Sequence, residues 1–313
     1  MKLPAETTVA FVGTGVMGGS MAGHLLDAGY RLVVFNRTRT RADSLVQRGA
    51  TWSESAGEAA SGADIVITMV GYPADVEDAY FGRGGIIESA SAGTVLIDMT
   101  TSSPALAQRV AHEALARGLS ALDAPVSGGD IGARRATLTI MVGGDEETFL
   151  AMEALLGVMG GNVVLQGAAG AGQHTKMANQ VAIAGSMLAT AESLAYAKRA
   201  GLDPRLVLRS IGAGSAASWS LDNLAPRILD GDFAPGFYVK HFVKDMRIAL
   251  DSAREMDLAL PGLSAAKRLY DVLEQGGGSE LGTQALWLLY ADEADRLREG
   301  VDPGATAASA MGG

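Results

Sequence analysis

The sequence predicts an α/β domain, doubly wound around a mainly parallel sheet, followed by an all-α domain. Three observations predict this. Over the first half, six short apolar runs alternate with stretches whose apolar residues recur every three or four positions. A Gly-x-Gly-x-x-Gly spacing follows directly on the first of these runs. After about residue 165 the patterning is helical alone.

The expected strands are TVAFVG (8–13), RLVVFN (31–36), DIVITMV (64–70), TVLIDM (94–99), LSALDAP (119–125) and LTIMVGG (138–144). Between them lie helical patterns such as MGGSMAGHLLDAG and SPALAQRVAHEALARG. Strands that are apolar on both faces and alternate with helices imply a parallel sheet covered on both sides. From KMANQ to LWLLYADEADRLREG the chain reads as helices, punctuated by glycine or proline at AGLDP, GDFAPG, LALPG and EQGGGSELG. The expected organisation is a nucleotide-binding α/β domain over 1–166 and a helical domain over 167–300. Residues 301–313 lack large apolar side chains and are expected to be a flexible tail.

A length of 313 residues accommodates two domains, each with its own core, and 48% hydrophobic with 19% charged residues fits a compact globule. A formal net charge of -10 repels phosphate backbones and anionic lipid, so neither nucleic acid nor a membrane surface is expected as a partner. Without cysteine there are no disulfides, thiol nucleophiles or thiolate-held metals. MKLPAETTVAFVGTG enters the first strand with no secretory pattern, and no segment has the apolar length of a membrane span, so a cytoplasmic location is expected. His24, His112, His174 and His241 show no ligand spacing, and no metal site is expected.

In VAFVGTGVMGGSMAGHLLDAGY, Gly13, Gly15 and Gly18 stand between a strand and a helix. Gly13 permits the tight turn, Gly15 lets backbone approach a pyrophosphate, and Gly18 allows close helix packing. The helix start, with Val16 and Met17, turns free N–H groups and the positive dipole end toward that anion. The bland alternative is a plain strand-to-helix turn. An NAD site usually carries a carboxylate after the second strand; this chain reads FNRTRTRAD there. Asn36 replaces the acid, and Arg37 with the Thr38 hydroxyl suits a 2'-phosphate, which points to NADP as cofactor. A solvated basic helix start is the alternative.

Ser127, Gly128 and Gly129 follow the fifth strand run, at the sheet end that lines the ligand crevice in doubly wound folds. A hydroxyl followed by two glycine amides there cradles a small carboxylate, or forms an ordinary turn. Further on, GAGQHTKMANQ places Lys176 where a helix begins. Positions 172, 176, 179, 180 and 183 share a face, so Gly172 leaves space before the lysine while Asn179 and Gln180 project beside it. Helix dipole and burial both act to lower the pKa of such an amine and suit it to general acid–base work. The alternative is a surface lysine snorkelling from an amphipathic helix.

Taken in order, FVGTGVMGGSMAGHL, DAPVSGG, GAGQHTKMANQ and KHFVKDM resemble the β-hydroxyacid dehydrogenases, which include 3-hydroxyisobutyrate dehydrogenase, tartronate semialdehyde reductase and glyoxylate/succinic semialdehyde reductases. The resemblance covers roughly residues 8–250. It implies a Rossmann domain, a long helix leading into a helical domain, and an active site in the cleft between them. It further implies that Lys176 is the acid/base, that Ser127, Gly128 and Gly129 hold the substrate carboxylate, and that Asn179 or Gln180 helps place the substrate. Thr101 is implied to lie at the nicotinamide end, and Lys244 to contact cofactor or substrate. A homodimer or homotetramer is expected by the same resemblance.

Two departures stand out. Many relatives have asparagine where this chain has Gln180, which bears on substrate choice, and Gly-Thr-Leu where it has Ala136, Thr137 and Leu138. Imine reductases share the architecture but replace the lysine, so Lys176 argues against that branch. The expected reaction moves a hydride between nicotinamide and a small 3-hydroxy acid or semialdehyde. Its rival is a non-catalytic NADP-binding module. Trp219 is a candidate wall for the substrate's other end, with interior packing as its alternative. The apolar LWLLYADEADRL stretch either pairs with a second subunit or packs into the core.

Overall fold

The computed structural model describes residues 3–291, 296, 299–302 and 310. Its nine strands are β1 (Thr8–Val12), β2 (Arg31–Phe35), β3 (Thr51–Trp52), β4 (Ile65–Thr68), β5 (Val95–Asp98), β6 (Ser120–Asp123), β7 (Val126–Ser127), β8 (Leu138–Gly144) and β9 (Gly160–Gly167). They form one sheet in the order β3-β2-β1-β4-β5-β6-β8-β7, with β9 added on β8. All neighbours from β3 to β6 are parallel, whereas β8 runs antiparallel to β6 and β7. The order reverses direction between β1 and β4, and the crevice at the carboxyl ends there is where doubly wound folds bind ligands.

The unbroken apolar runs are explained by two cores. In β1, Val9 and Phe11 enter one cluster while Ala10 and Val12 enter another, and β4 divides Ile65 and Ile67 from Val66 in the same way. Burying a valine-to-phenylalanine side chain contributes about 1.5–3 kcal/mol, so both faces of the sheet add to this unit's stability. Eight helices flank it: α1 (Val16–Asp27), α2 (Asp43–Gln47), α3 (Ala56–Ala60), α4 (Pro73–Phe81), α5 (Ile86–Ser89), α6 (Pro104–Leu115), α7 (Gly129–Arg135) and α8 (Glu146–Leu156).

Three strands had no clear signal in the sequence. β3 and β7 have two residues each, too few to show a period. β9 is an edge strand with most of its side chains at least partly exposed, so it lacks the continuous apolar run of the inner strands.

Helix α9 spans Ala171–Arg199, and the chain divides into two compact units inside it, between Lys176 and Met177. The pattern change near residue 166 precedes that division. In between, the first turn of α9 is hydrogen-bonded to strand ends of the first unit. The second unit continues with α10 (Pro204–Ile211), α11 (Trp219–Asn223), α12 (Ala225–Leu229), α13 (Val239–Glu255) and α14 (Pro261–Gln275). On α13, Phe242, Met246, Ala249 and Ala253 are buried at helical spacing.

The segment Thr283–Leu289, expected to be α-helical, is 3₁₀ instead. Leu286, Trp287, Leu288 and Leu289 lie inside the unit's own core, so these residues offer no face for a second subunit. The start of the expected tail also differs. Val301 is buried in this core and the Asp302 N–H donates to the Gly276 carbonyl at 2.9 Å, because a branched apolar side chain finds a place there that its small neighbours could not fill. The remainder of 301–313, apart from Ala310, lies outside the described residues. Among the described residues, no helix is long and apolar enough to cross a membrane.

Candidate active site

Two of the three motif glycines are sterically obligatory. Gly13 has φ of +98°, and a Cβ there would lie 2.3 Å from the Met69 carbonyl oxygen. A Cβ on Gly18 would lie 1.9 Å from the Gly13 carbonyl oxygen, so α1 packs directly on the turn. Gly15 caps α1 with no side chain reaching back to the helix N–H groups, and beside it a Cβ would meet only the Arg41 guanidinium, at 3.8 Å. Val16 is exposed and Met17 half-buried at the helix start. The Thr14 hydroxyl is buried with no hydrogen-bond partner among the described residues. An open glycine cap, unclaimed helix N–H groups and an orphaned hydroxyl suit the diphosphate of a dinucleotide.

Asn36 holds this turn together: its Oδ1 accepts from the Thr14 N–H at 3.0 Å and its Nδ2 donates to the Thr38 carbonyl at 2.8 Å. Arg37 is exposed, with Nη1 3.3 Å from Asp75 Oδ1. Thr38 is exposed and caps the 3₁₀ turn Arg39–Ala42. The sequence singled out Arg37; the structure adds Arg41, which lies in that turn and whose guanidinium comes near Gly15.

A buried polar network crosses the carboxyl ends of β4, β5 and β6. Asp98 Oδ1 accepts from the Thr68 hydroxyl at 2.7 Å and the Thr100 N–H at 3.1 Å, and Thr68 shares a 3.2 Å hydrogen bond with the Tyr80 hydroxyl. Burial pushes the Asp98 carboxyl up to about 6, against the opposing hydrogen bonds from Thr68 and Thr100 and aided by the nearby Asp123 charge. On β6, Asp123 accepts from the Gly170 N–H at 2.7 Å and the Gln173 N–H at 2.8 Å, so its carboxylate caps the start of α9. Its pKa is raised as well, because burial outweighs these backbone bonds. The Gln173 side chain, fully buried, donates to the Thr100 carbonyl at 2.8 Å and accepts from the Ser102 N–H at 2.9 Å. Thr101, half-buried, sits between those two peptides.

Close approach of α9 to the sheet depends on two glycines. A Cβ on Gly172 would lie 2.4 Å from the Met141 carbonyl oxygen and 2.6 Å from that of Asp123, and one on Gly143 would lie 2.6 Å from the Gly172 nitrogen. The sequence suggested that Gly172 leaves room before the lysine. Backbone fills that room instead. Lys176 follows in the second turn of α9 and is only 6% exposed, which removes the snorkelling alternative. It lies past the first turn of the helix, where most of the dipole field acts.

Ser127 ends β7, paired with Thr139 of β8. Gly128 (φ +131°) and Gly129 (φ +62°) then turn the chain into α7, whose cap, Gly128, has no side chain to bond the helix start. Both glycines adopt positive φ values that other residues rarely take, so this turn depends on them.

In the second unit the Asn179 Nδ2 donates to Gln180 Oε1 at 2.7 Å, and Gln180 Nε2 donates to Asp245 Oδ2 at 2.6 Å. Lys244 Nζ lies 3.1 Å from Asp245 Oδ1, with both residues buried. One carboxylate thus holds two of the expected site residues, Gln180 and Lys244, and Asn179 joins them through Gln180. Nearby on α13, His241 has its pKa lowered by burial first and Lys244 second. Trp219 is 67% exposed, which removes its interior-packing alternative.

The model for the NAD binding domain of 6-phosphogluconate dehydrogenase matches residues 8–167, and that for the NAD-binding region of NADP-dependent 3-hydroxyisobutyrate dehydrogenase matches 170–290. An uncharacterized oxidoreductase of Bacillus subtilis, YkwC, is 55% identical over 285 residues, covering 91% of this chain and 99% of the relative. Escherichia coli 2-hydroxy-3-oxopropionate reductase is 38% identical over 278 residues, 89% of this chain and 95% of the relative. The chain belongs to the β-hydroxyacid dehydrogenase family. A solved structure of Mycobacterium tuberculosis 3-hydroxyisobutyrate dehydrogenase with L-serine superimposes with a TM-score of 0.84 at 32% identity, covering 91% of this chain and 99% of that one.

As a β-hydroxyacid dehydrogenase this protein is an oxidoreductase with an NAD(P)-binding Rossmann domain. The sequence reading missed Asp98, Asp123, Gln173 and Asp245 in this family setting. Two of them carried a signal: IDMT and LDAP each end an apolar strand run with a carboxylate, in a position that burial makes costly without partners.

Proposed function

We propose that this enzyme is an NADP(H)-dependent dehydrogenase/reductase that interconverts a small 3-hydroxy acid and its semialdehyde, with Lys176 as general acid/base. The burial of that one ammonium group, on a helix whose first turn is hydrogen-bonded to strand ends, carries the reading. When bound, the dinucleotide supplies or accepts the hydride. In reduction Lys176 Nζ gives a proton to the oxygen of the developing alkoxide; in oxidation it removes that proton. The Ser127 hydroxyl and the N–H groups of Gly128 and Gly129 receive the substrate carboxylate, and Asn179 and Gln180 help orient it. Lys244 contacts cofactor or substrate. Trp219 is a wall for the substrate's other end.

Support for NADP comes from the end of β2. Asn36 occupies the acidic position of NAD sites, and Arg37 and Thr38 stand ready for a 2'-phosphate. The family resemblance supports a homodimer or homotetramer. The test is Lys176→Ala with NADPH and a panel containing succinic semialdehyde, glyoxylate and tartronate semialdehyde. Turnover should fall on the order of 100-fold or more while NADPH binding stays nearly intact. Full turnover in the variant refutes the assignment.

A further inference from the structure

We propose that Gln173 is a positioning residue that locks Thr101 and Lys176 into one rigid arrangement. The inference rests on the roles given above to those two residues. Gln173 is fully buried, where an apolar side chain of its volume would pack without the cost of desolvating an amide. Its carboxamide spends both of its polar atoms on one target: Nε2 donates to the carbonyl of Thr100 and Oε1 accepts the N–H of Ser102, the peptides on either side of Thr101. Its backbone N–H is meanwhile fixed on Asp123 of β6. Lys176 comes three residues later on the same helix, about 4.5 Å along the axis and on nearly the same face.

A single residue therefore ties the loop after β5 to the turn that bears the lysine. Neither Thr101 nor Lys176 can shift against the other without breaking a buried hydrogen bond. Misplacement of reacting groups by about 1 Å costs on the order of 100-fold in rate, which is the scale on which such a tether matters.

The full-length enzyme tests this with Gln173→Leu, which keeps the shape and removes both bonds. Amide hydrogen exchange without cofactor should quicken together in residues 99–103 and 170–176 and stay unchanged in the glycine turn 8–18. Turnover per NADPH-binding site should fall roughly 30- to 100-fold, with NADPH affinity within about threefold. Gln173→Glu supplies the second arm. A neutral carboxyl can donate to the Thr100 carbonyl and accept from Ser102, whereas a carboxylate cannot donate. Asp98 and Asp123 are the carboxyls joined to this hydrogen-bond network, and Lys176 follows on the same helix. Activity of the glutamate variant should therefore recover as pH is lowered, and the leucine variant should show no such recovery.

Turnover within twofold of wild type in Gln173→Leu, or quickened exchange in only one of the two segments, overturns the proposal. If Gln173→Leu does not fold, a glutamate variant whose activity fails to recover at low pH overturns it. Full turnover in Lys176→Ala refutes the acid/base role by itself, while the paired exchange response still reports the tether. A dead Lys176→Ala beside a fully active Gln173→Leu removes only the tether.

Discussion

Replacing Asp98 by asparagine should leave the protein at least as stable at neutral pH and should flatten its pH dependence. The carboxyl is buried and its pKa is raised from 3.8 to about 6. Between those values the folded chain holds a proton that the unfolded chain has released, so this group's contribution is fully present below about pH 4 and is lost as pH rises through about 6. The difference converts to about 3 kcal/mol at full ionisation, as an upper bound, since local relaxation reduces it. Asparagine resembles the protonated acid. Its Oδ1 can keep the bonds from the Thr68 hydroxyl and the Thr100 N–H, both of which converge on Oδ1 in the native chain, and its Nδ2 can donate to the Thr100 hydroxyl oxygen.

The assay is the denaturation midpoint of both proteins from pH 4 to pH 8. Subtracting wild type from variant cancels the titrations the two chains share. The difference should be near zero at the acid end and should grow in the variant's favour up to about pH 7. A variant destabilised by more than about 1 kcal/mol at pH 7.5, with a pH slope matching wild type, would mean that the ionised carboxylate stabilises the fold, and the reasoning fails.

Two further outcomes can be checked with simple variants. Gly172→Ala should cost at least about 1–3 kcal/mol, read as a drop in melting temperature, because the new methyl would fall 2.4 Å from the rigid Met141 carbonyl oxygen; an unchanged midpoint would rule out the close helix–sheet approach. Arg37→Ala should shift the NADPH-to-NADH ratio of kcat/KM about tenfold or more toward NADH, since a charge-assisted bond to a phosphate is worth about 1.5–3 kcal/mol; an unmoved ratio would refute a phosphate-binding role for that side chain.

The inner strands and the glycine turn were legible because their signals are local. Val9 to Val12 show an unbroken apolar run, and Gly13 and Gly18 show a spacing that one steric requirement explains. Lys176 was legible for the same reason, standing alone among small and polar residues. The network around it was not. Asp123 acquires its function only when Gly170 and Gln173, some fifty residues later, bring N–H groups to it, and no periodicity records a contact of that range. Gly172 misled for a related reason: a missing side chain reads equally as empty space or as room for backbone, and only the fold decides between them. Gln180 and Lys244 were each visible, but their common partner Asp245 was hidden beside a lysine in a helical pattern.

The start of α9 is capped by Asp123, as those of α3, α6 and α8 are by Ser55, Ser103 and Asp145, so these ends are satisfied from within the chain. Helix α1 instead begins on Gly15, which has no side chain to bond its first amides. The chain thereby forgoes the roughly 1 kcal/mol that a capping side chain supplies, and recovers more once an anion docks. On the proposed function, occupancy and resistance to unfolding would be linked at this end of the sheet, with bound dinucleotide serving as the cap that Gly15 does not supply.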